Sequence, residues 1–438
     1  MSQFLVEYPL NRPHARDAPL ARGADGVLRY GNLTPALTEL LDLQVHAFGT
    51  REAVVEIGGP RLTYRELWHS ASRIAGGLQE HGIGYGDRVA IHMPAGARWI
   101  QAFLGALLSG AVPVLVHDGL PDAIAERVIA DSSTDFVLGG GSDELPDGAA
   151  FIDDGAALSD LALLCYTSGT GLCPANATAA PKGVELTNEN LLSAIRSVVA
   201  ALDLPTDGLR NLVLLPLAHA SGCVDQMLPT FAVGGTVVLA PDRRSLAETI
   251  VSEHIDMVSA TPRIFARLLP ELAALRTEGL CTEGIVRVSN AGHRGERAAA
   301  PTDSVDLAAT LRDTFPAARQ WSVWGATETS GIGLVVDDDT DTAPGADPVL
   351  GFAFGGTELA LWGSQAQTGH GELLCRGPNV TSRYWNDPET TADRFTGSWF
   401  HTGDQVSIDA DGLVRRERVQ ADQVTRADDR AAVRAVVR

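Results

Sequence analysis

The stretch RVAIHMPAGARWIQAFLGALLSGAVPVLV, residues 88–116, decides the fold class. RVAIHMP (88–94) reads as a buried strand, ARWIQAFLGALLSG (97–110) as a helix and AVPVLV (111–116) as the next strand. A strand, a covering helix and a second strand make the unit from which parallel sheets are built. Upstream, Leu67, Ala71, Ile74, Ala75 and Leu78 fall on one helical face, and Gly82 ends that helix. Downstream the alternation continues. TDFVL (134–138) and LALLCY (161–166) read as strands, and TNENLLSAIRSVVAALDL (187–204) reads as a helix with Thr187 as N-cap. NLVLLP, TVVLA, DMVSA and VRVSN supply further short strands. A mainly parallel α/β architecture follows.

Beyond residue 340 the texture changes. ELALW, GELLCRG and LVRRE read as short strands joined by Gly-rich turns, so this part is expected to be β-rich. Residues 1–50 read as an irregular segment ending near LTELLDLQVHAF. The expected organisation is an N-terminal segment (1–50), two α/β subdomains (51–340), a β-rich subdomain (341–414) and a short tail (415–438).

Composition narrows the function. The chain has 438 residues, 45% of them hydrophobic, so a large buried core is available. The net charge of −21 argues against a nucleic-acid partner. No run of eighteen apolar residues occurs, so no membrane span is expected. The N-terminus lacks a basic segment followed by an apolar core, and the five cysteines form no CxxC pair. Both features suit a reducing, cytoplasmic setting. Of the 34 basic residues only Lys182 is a lysine; the rest are arginines. Codon preference explains the arginines. It leaves Lys182 as a position where a compact ammonium is wanted instead of a guanidinium fork.

Lys182 stands in a telling place. Tyr166-Thr167-Ser168-Gly169-Thr170-Gly171 follows a strand, and Pro181-Lys182-Gly183 leads into the next element. Small residues let backbone N–H groups approach an anion, the hydroxyls of Thr167, Ser168 and Thr170 can donate to phosphate oxygens, and Lys182 adds a mobile charge. Such a cluster is also an ordinary turn composition; the lone lysine favours phosphate.

This segment resembles the phosphate loop of the adenylate-forming superfamily, which includes acyl-CoA synthetases, fatty acyl-AMP ligases and peptide-synthetase adenylation domains. Its pattern is YTSGTTGxPKG. Here YTSGT and PKG match, but Gly171 to Ala180 replaces three residues, a seven-residue insertion. Loop closure alone makes this cost about 1 kcal/mol. Four further segments extend the resemblance. LPLAHASG (215–222) is similar to LPxxHxxG, whose histidine, here His219, borders and gates the acyl pocket in the family. WSVWGATETSGIG (321–333) resembles YGxTE. The resemblance implies that Trp324 packs on adenine beside Gly325, that Thr327 binds phosphate and that Glu328 holds magnesium. VRVSNAGHR (286–294) stands where the family has its adenine loop, so Asn290, Ala291 and Gly292 would line the base; an ordinary strand-ending turn reads equally well. GELLCRGPNVTSRYWNDPETTADRFTGSWFHTGD (371–404) matches the longest family block, with Asp404 in the ribose-binding role and Arg418 as the following hinge arginine, which also bonds ribose.

The resemblance implies two α/β subdomains plus a β-rich subdomain, as in the large domain of these enzymes. It implies ATP and Mg²⁺, with CoA or carrier-protein phosphopantetheine as acceptor. The implied reaction activates a fatty or aryl acid as its acyl-adenylate with release of pyrophosphate, through Lys182, His219 and Thr327. In the family a C-terminal domain adds a catalytic lysine. No second lysine occurs within these 438 residues. By analogy with losing one preorganised oxyanion donor, its absence costs about 2.7–4 kcal/mol. Two readings follow: a slow enzyme, or one served by an acyl carrier protein or a lysine-bearing partner in trans; and a nucleotide- or acyl-binding relic with a regulatory or scaffolding role.

Overall fold

In the computed structural model the opening stretch folds as strand Arg88–His92, helix Ala97–Leu108 and strand Val112–Leu115, and the two strands pair in parallel. The residues described are 5–8, 20–141, 144–167, 181–241, 246–277, 287–291, 304–337 and 348–417. Helix Ala97–Leu108 is mostly apolar because it is mostly covered; only Arg98 is exposed and Gln101 half-buried. Trp99 and Phe103, one turn apart, stack at 5.4 Å and are fully buried. Its partner is helix Tyr64–Glu80, opened by a reciprocal capping box between Thr63 and Glu66. The two helices meet at Gly105. A Cβ there would lie 2.5 Å from Ile74 Cγ2, so only glycine permits this approach.

These elements cover a five-stranded sheet in the order Gly183–Thr187, Leu161–Tyr166, Val112–Leu115, Arg88–His92, Phe136–Gly139. All its pairings are parallel except that of Leu161–Tyr166 with the edge strand Gly183–Thr187. That antiparallel pair matters for function, because the segment between its strands is the expected phosphate loop.

Among the described residues the second sheet has fifteen strands. Strands Glu52–Glu56, Thr236–Leu239, Arg210–Val213, Met257–Ala260, Arg287–Ala291 and Arg319–Ala326 pair in parallel. From Arg319–Ala326 onward the pairing turns antiparallel: Gly331–Asp337, Val349–Ala353, Val414–Arg416, Trp399–Ile408, His370–Arg376, Glu358–Trp362 and finally Leu5–Tyr8. The mixed α/β architecture with a β-rich part is thus present. The β-rich part continues the second sheet through hydrogen bonds between 331–337 and 349–353.

One expectation needs correction. Residues 1–50 were read as irregular, yet Leu37–Phe48 is a twelve-residue helix and Leu5–Tyr8 is an edge strand of the large sheet. The helix lacks a start signal of its own, since its N-cap is Ala36. Asn188 supplies the cap from another helix, its Oδ1 accepting from Leu37 N–H at 2.9 Å. Helix Asn188–Ala201 itself begins where the sequence placed it, with Thr187 capping and Asn190 completing the box. Among the described residues no helix is long and apolar enough to cross a membrane.

Candidate active site

The ends of the expected phosphate loop are clasped. Tyr166 pairs with Gly183, Thr167 N–H donates to the Lys182 carbonyl at 3.0 Å, and Lys182 N–H reaches Thr167 Oγ1 at 3.3 Å. Ser168, Gly169, Thr170 and the insertion to Ala180 lie outside the described residues. Lys182 Nζ donates to Thr390 Oγ1 at 2.6 Å and stands 5.8 Å from the centre of the Tyr384 ring.

Tyr384 leads to the second part of the site. Its hydroxyl donates to Glu328 Oε1 at 2.6 Å, with both residues buried. Burial first, and the Glu328 charge second, push the Tyr384 phenol well above its usual range, so it remains a neutral donor. Glu328 sits on the tight turn Thr327–Thr329, which the Thr329 hydroxyl closes through bonds to Ala326 and Gly331. Ser330 (φ 56°) and Gly331 (φ 101°) then turn the chain into the next strand. Segment 379–385 buckles the two parts together. Thr381 N–H donates to the Glu328 carbonyl, Asn379 Nδ2 to the Thr329 carbonyl, and Trp385 N–H to the Gly183 carbonyl. Thr381 Oγ1 and Arg383 Nε both reach Glu185, the former on its carbonyl and the latter on its carboxylate.

Asp404 is fixed from two sides. Trp324 Nε1 donates to Oδ2 at 3.1 Å and Arg416 Nη2 to Oδ1 at 3.1 Å. The strand bearing Asp404 is held by Glu372, a buried acid that accepts from Gly403 N–H and faces His401 Nδ1 at 3.1 Å; His401 Nε2 meets Thr396 Oγ1. The Trp324 ring lies in the core among Leu334, Leu350 and Leu359, with Gly325 next along the strand.

The remaining expected residues are placed as follows. His219 caps a short turn, its Nδ1 3.3 Å from Ser221 N and 2.9 Å from Ser221 Oγ. Thr327 is buried beside Glu328. Asn290 and Ala291 lie on strand Arg287–Ala291, next to Arg319–Ala326, while Gly292 and Arg418 lie outside the described residues. The structure therefore joins Thr167 and Lys182 to Glu328 through Tyr384, and Trp324 to Asp404. Sequence reasoning missed Tyr384, Glu372 and Arg416. Tyr384 was quoted within the long block and Glu372 opens it, but nothing in the spacing says what either touches.

The site's donors suit a nucleotide and a hard cation. Glu328 offers a second carboxylate oxygen that no donor reaches among the described residues. No group of three or more His, Cys, Asp or Glu there could form an all-protein metal cage. Magnesium ordinarily takes one or two carboxylates plus phosphate oxygens, which is the donor set a lone Glu328 would complete. Beside Asp404, Arg416 Nε is buried and has no partner among the described residues, a donor left for a hydroxyl.

The family described as AMP-binding enzyme matches residues 41–154 and 141–385. The chain belongs to the AMP-binding enzyme family. Among the relatives of this AMP-binding enzyme is a feruloyl-CoA synthase from Amycolatopsis sp, 30% identical over 400 residues, covering 82% of this chain and 73% of the relative. Another is the long-chain-fatty-acid–CoA ligase FadD13 of Mycobacterium tuberculosis, 28% identical over 391 residues, covering 81% and 72%. The inhibitor-bound N-terminal domain of FACL13 from Mycobacterium tuberculosis superimposes with a TM-score of 0.74 at 25% identity, covering 88% of this chain and 100% of that one. The O-succinylbenzoate coenzyme A synthetase of Bacillus subtilis, solved with ATP and magnesium, shares the fold at a TM-score of 0.75 and 23% identity, covering 90% and 82%. The relatives are CoA ligases, so the general chemistry of this AMP-binding enzyme is activation of an acid through adenylation.

Proposed function

We propose that this AMP-binding enzyme activates a fatty or aryl carboxylic acid as its acyl-adenylate, using ATP and Mg²⁺ and releasing pyrophosphate. The observation that carries the reading is the hydrogen-bonded path from Lys182 and Thr390 through the 379–385 buckle to Glu328. It ties the ends of the phosphate loop to the acidic turn. In this reading Ser168, Gly169, Thr170, Lys182 and Thr327 hold phosphate oxygens, and Glu328 holds the cation. Asp404 and Arg416 grip the ribose hydroxyls, with Trp324 orienting Asp404. Asn290, Ala291, Gly292 and Gly325 flank the base, and His219 borders the acid. Magnesium held by Glu328 would supply neutralisation of phosphate charge; the protein's own share is positioning and exclusion of water. Arg418 extends the ribose contact.

A second reading has one observation in its favour. The only lysine of the chain is already engaged by Thr390 at the loop. No other ammonium within the 438 residues can meet the acid carboxylate. These 438 residues alone then turn over slowly, or draw on a lysine from outside them, with CoA or a carrier protein's phosphopantetheine as the acceptor; in the limit they are a nucleotide-binding relic. Acid-dependent ATP–pyrophosphate exchange over a panel of acids separates the readings. Exchange with any acid supports catalysis. ATP binding without exchange on the whole panel assigns the relic role.

A further inference from the structure

Strand Trp399–Ile408 slips out of register with its neighbour His370–Arg376 at one place, and that place carries Asp404. Glu372 pairs with Gln405 and Leu374 with His401, so Thr402, Gly403 and Asp404 stand against Leu373 alone. Such a bulge re-aims the side chains it carries. Gly403 takes a φ of 76°, in the left-handed region that favours glycine. Two of the bulge amides donate to side chains. Asp404 N–H donates to Thr402 Oγ1 at 3.1 Å, and that hydroxyl donates on to the Leu373 carbonyl at 2.8 Å. Gly403 N–H donates to Glu372 Oε1 at 2.9 Å.

Glu372 is itself held. Its other oxygen, Oε2, lies 3.1 Å from His401 Nδ1, and His401 Nε2 lies 2.8 Å from Thr396 Oγ1. A carboxylate only accepts, so in the neutral ring Nδ1 carries the proton toward Glu372 and Nε2 accepts from the Thr396 hydroxyl. The Trp362 ring meets the imidazole edge-on, 5.4 Å between centroids, and Trp362 pairs with Glu372 across the next ladder. Glu372 and His401 are both buried, whereas Thr396 is exposed. A buried acid is costly unless its oxygens are bonded, and here one oxygen faces the Gly403 amide and the other the imidazole. The chain from Thr396 through His401 and Glu372 to Gly403 thus fixes the backbone from which the Asp404 side chain projects. Trp324 and Arg416 hold only the tips of that carboxylate.

We infer that Glu372, oriented by His401 and Thr396, is the positioning residue for ribose recognition: through Gly403 it aims the Asp404 carboxylate at the ribose hydroxyls. The inference rests on the reading that Asp404 grips the ribose, and it names the residues that make this grip selective. A carboxylate has two acceptor oxygens and takes two vicinal hydroxyls together in one orientation only. A shift of the backbone at Gly403 displaces both oxygens at once. The groups assigned to the phosphates and the cation stand on other elements, at Lys182, Thr327 and Glu328, and keep their places. The signature of losing Glu372 is therefore confined to the sugar: a nucleotide that lacks a ribose hydroxyl loses less than one that has both.

The test is calorimetric titration of the full chain with ATP, 2′-deoxy-ATP and 3′-deoxy-ATP in the presence of magnesium. The parent should prefer ATP to at least one deoxynucleotide by about tenfold or more. Glu372→Met keeps the length of the side chain and removes the acceptor; it should weaken ATP about tenfold, weaken the deoxynucleotides less, and bring the ratio to within about twofold of one. Glu372→Gln retains an oxygen for Gly403 N–H and should keep the ratio within about threefold of the parent's. In an Asp404→Asn background, adding Glu372→Met should leave the ratio where it was. Circular dichroism and the thermal midpoint report folding. Where Glu372→Met does not fold, the surface change Thr396→Val decides: it removes the partner of His401 Nε2 and should lower the ratio about threefold or more. A discriminating parent whose ratio survives the deciding variant overturns the positioning role alone, and so does a Glu372→Gln ratio as low as that of Glu372→Met. A parent that binds all three nucleotides equally, or binds none, overturns the ribose reading of Asp404 and the proposal with it.

Discussion

Replacing Tyr384 with phenylalanine removes one oxygen and tests the joint on which the site depends. The Tyr384 hydroxyl donates to Glu328 Oε1 at 2.6 Å inside the protein. The ring is retained, so its contact with Phe395, 6.3 Å between centroids, and its place under Lys182 Nζ survive. What is lost is a hydrogen bond to an acid whose Oε1 is then left without its donor. A bond of this charged type contributes about 1.5–3 kcal/mol, and nothing in the described surroundings replaces it. Urea unfolding of the parent, Tyr384→Phe, Glu328→Ala and the double variant closes a thermodynamic cycle. The expected coupling is about 1.5–3 kcal/mol. Magnesium-dependent ATP affinity of Tyr384→Phe should also fall about tenfold, because the freed carboxylate no longer holds one orientation. Additivity within about 0.5 kcal/mol, together with unchanged ATP affinity, would refute the claim that Tyr384 positions Glu328.

Glu328→Gln should abolish the magnesium-dependent part of ATP binding and Asp404→Asn should weaken binding; Trp324→Phe, which removes the indole donor to Asp404 Oδ2, should lower ATP affinity by about fivefold or more by calorimetry. Deleting seven residues from 171–180 should leave ATP affinity nearly unchanged because the loop ends are clasped at Thr167 and Lys182, whereas Lys182→Ala should lower it; a large gain on deletion would mean that the insertion blocks the site. Glu52 and Glu253 share Arg61 and Arg210, and hydrogen bonds from Arg61 first of all hold both carboxyls below their usual range. A lowered folded pKa adds stability above the unfolded value near 4.3, and this is lost as pH falls through the folded value. The urea-midpoint gap between the parent and Arg61→Met should therefore be full at pH 7 and shrink below about pH 4; a gap that widens on acidification would contradict the sign.

The alternation of strands and helices was readable because each element carries its own period, its own cap or both. Thr187 and Asn190 announce their helix locally, and residues 88–116 repeat one strand–helix–strand unit. Helix Leu37–Phe48 was illegible for the opposite reason: its cap, Asn188, lies 151 positions away. The same distinction divides the site. Thr167, Lys182, Thr327, Glu328 and Asp404 stand in short motifs and could be named from them. The bonds that make them a site cross 56 positions from Tyr384 to Glu328 and 80 from Trp324 to Asp404, and no period or spacing encodes those. Arg418, the arginine the resemblance assigns to the ribose, lies outside the described residues; among those described, Arg416 reaches Asp404.

The seam between strands 331–337 and 349–353 has a consequence for dissection of the molecule. Two register pairs, Leu334 with Ala353 and Val335 with Phe352, stitch the part of the large sheet that ends at strand 331–337 to the antiparallel strands beyond it. Severing the chain between these strands gives two fragments, each ending in a raw edge of unpaired amides and carbonyls. Neither fragment is a self-sufficient module. The first holds Glu328 and Lys182, and the second holds Tyr384 and Asp404. Produced apart, they would expose sticky edges; produced together, each edge is the other's template. Recovery of nucleotide binding would then report that the two pieces had met, which makes this seam the natural place to split the protein into a complementation pair.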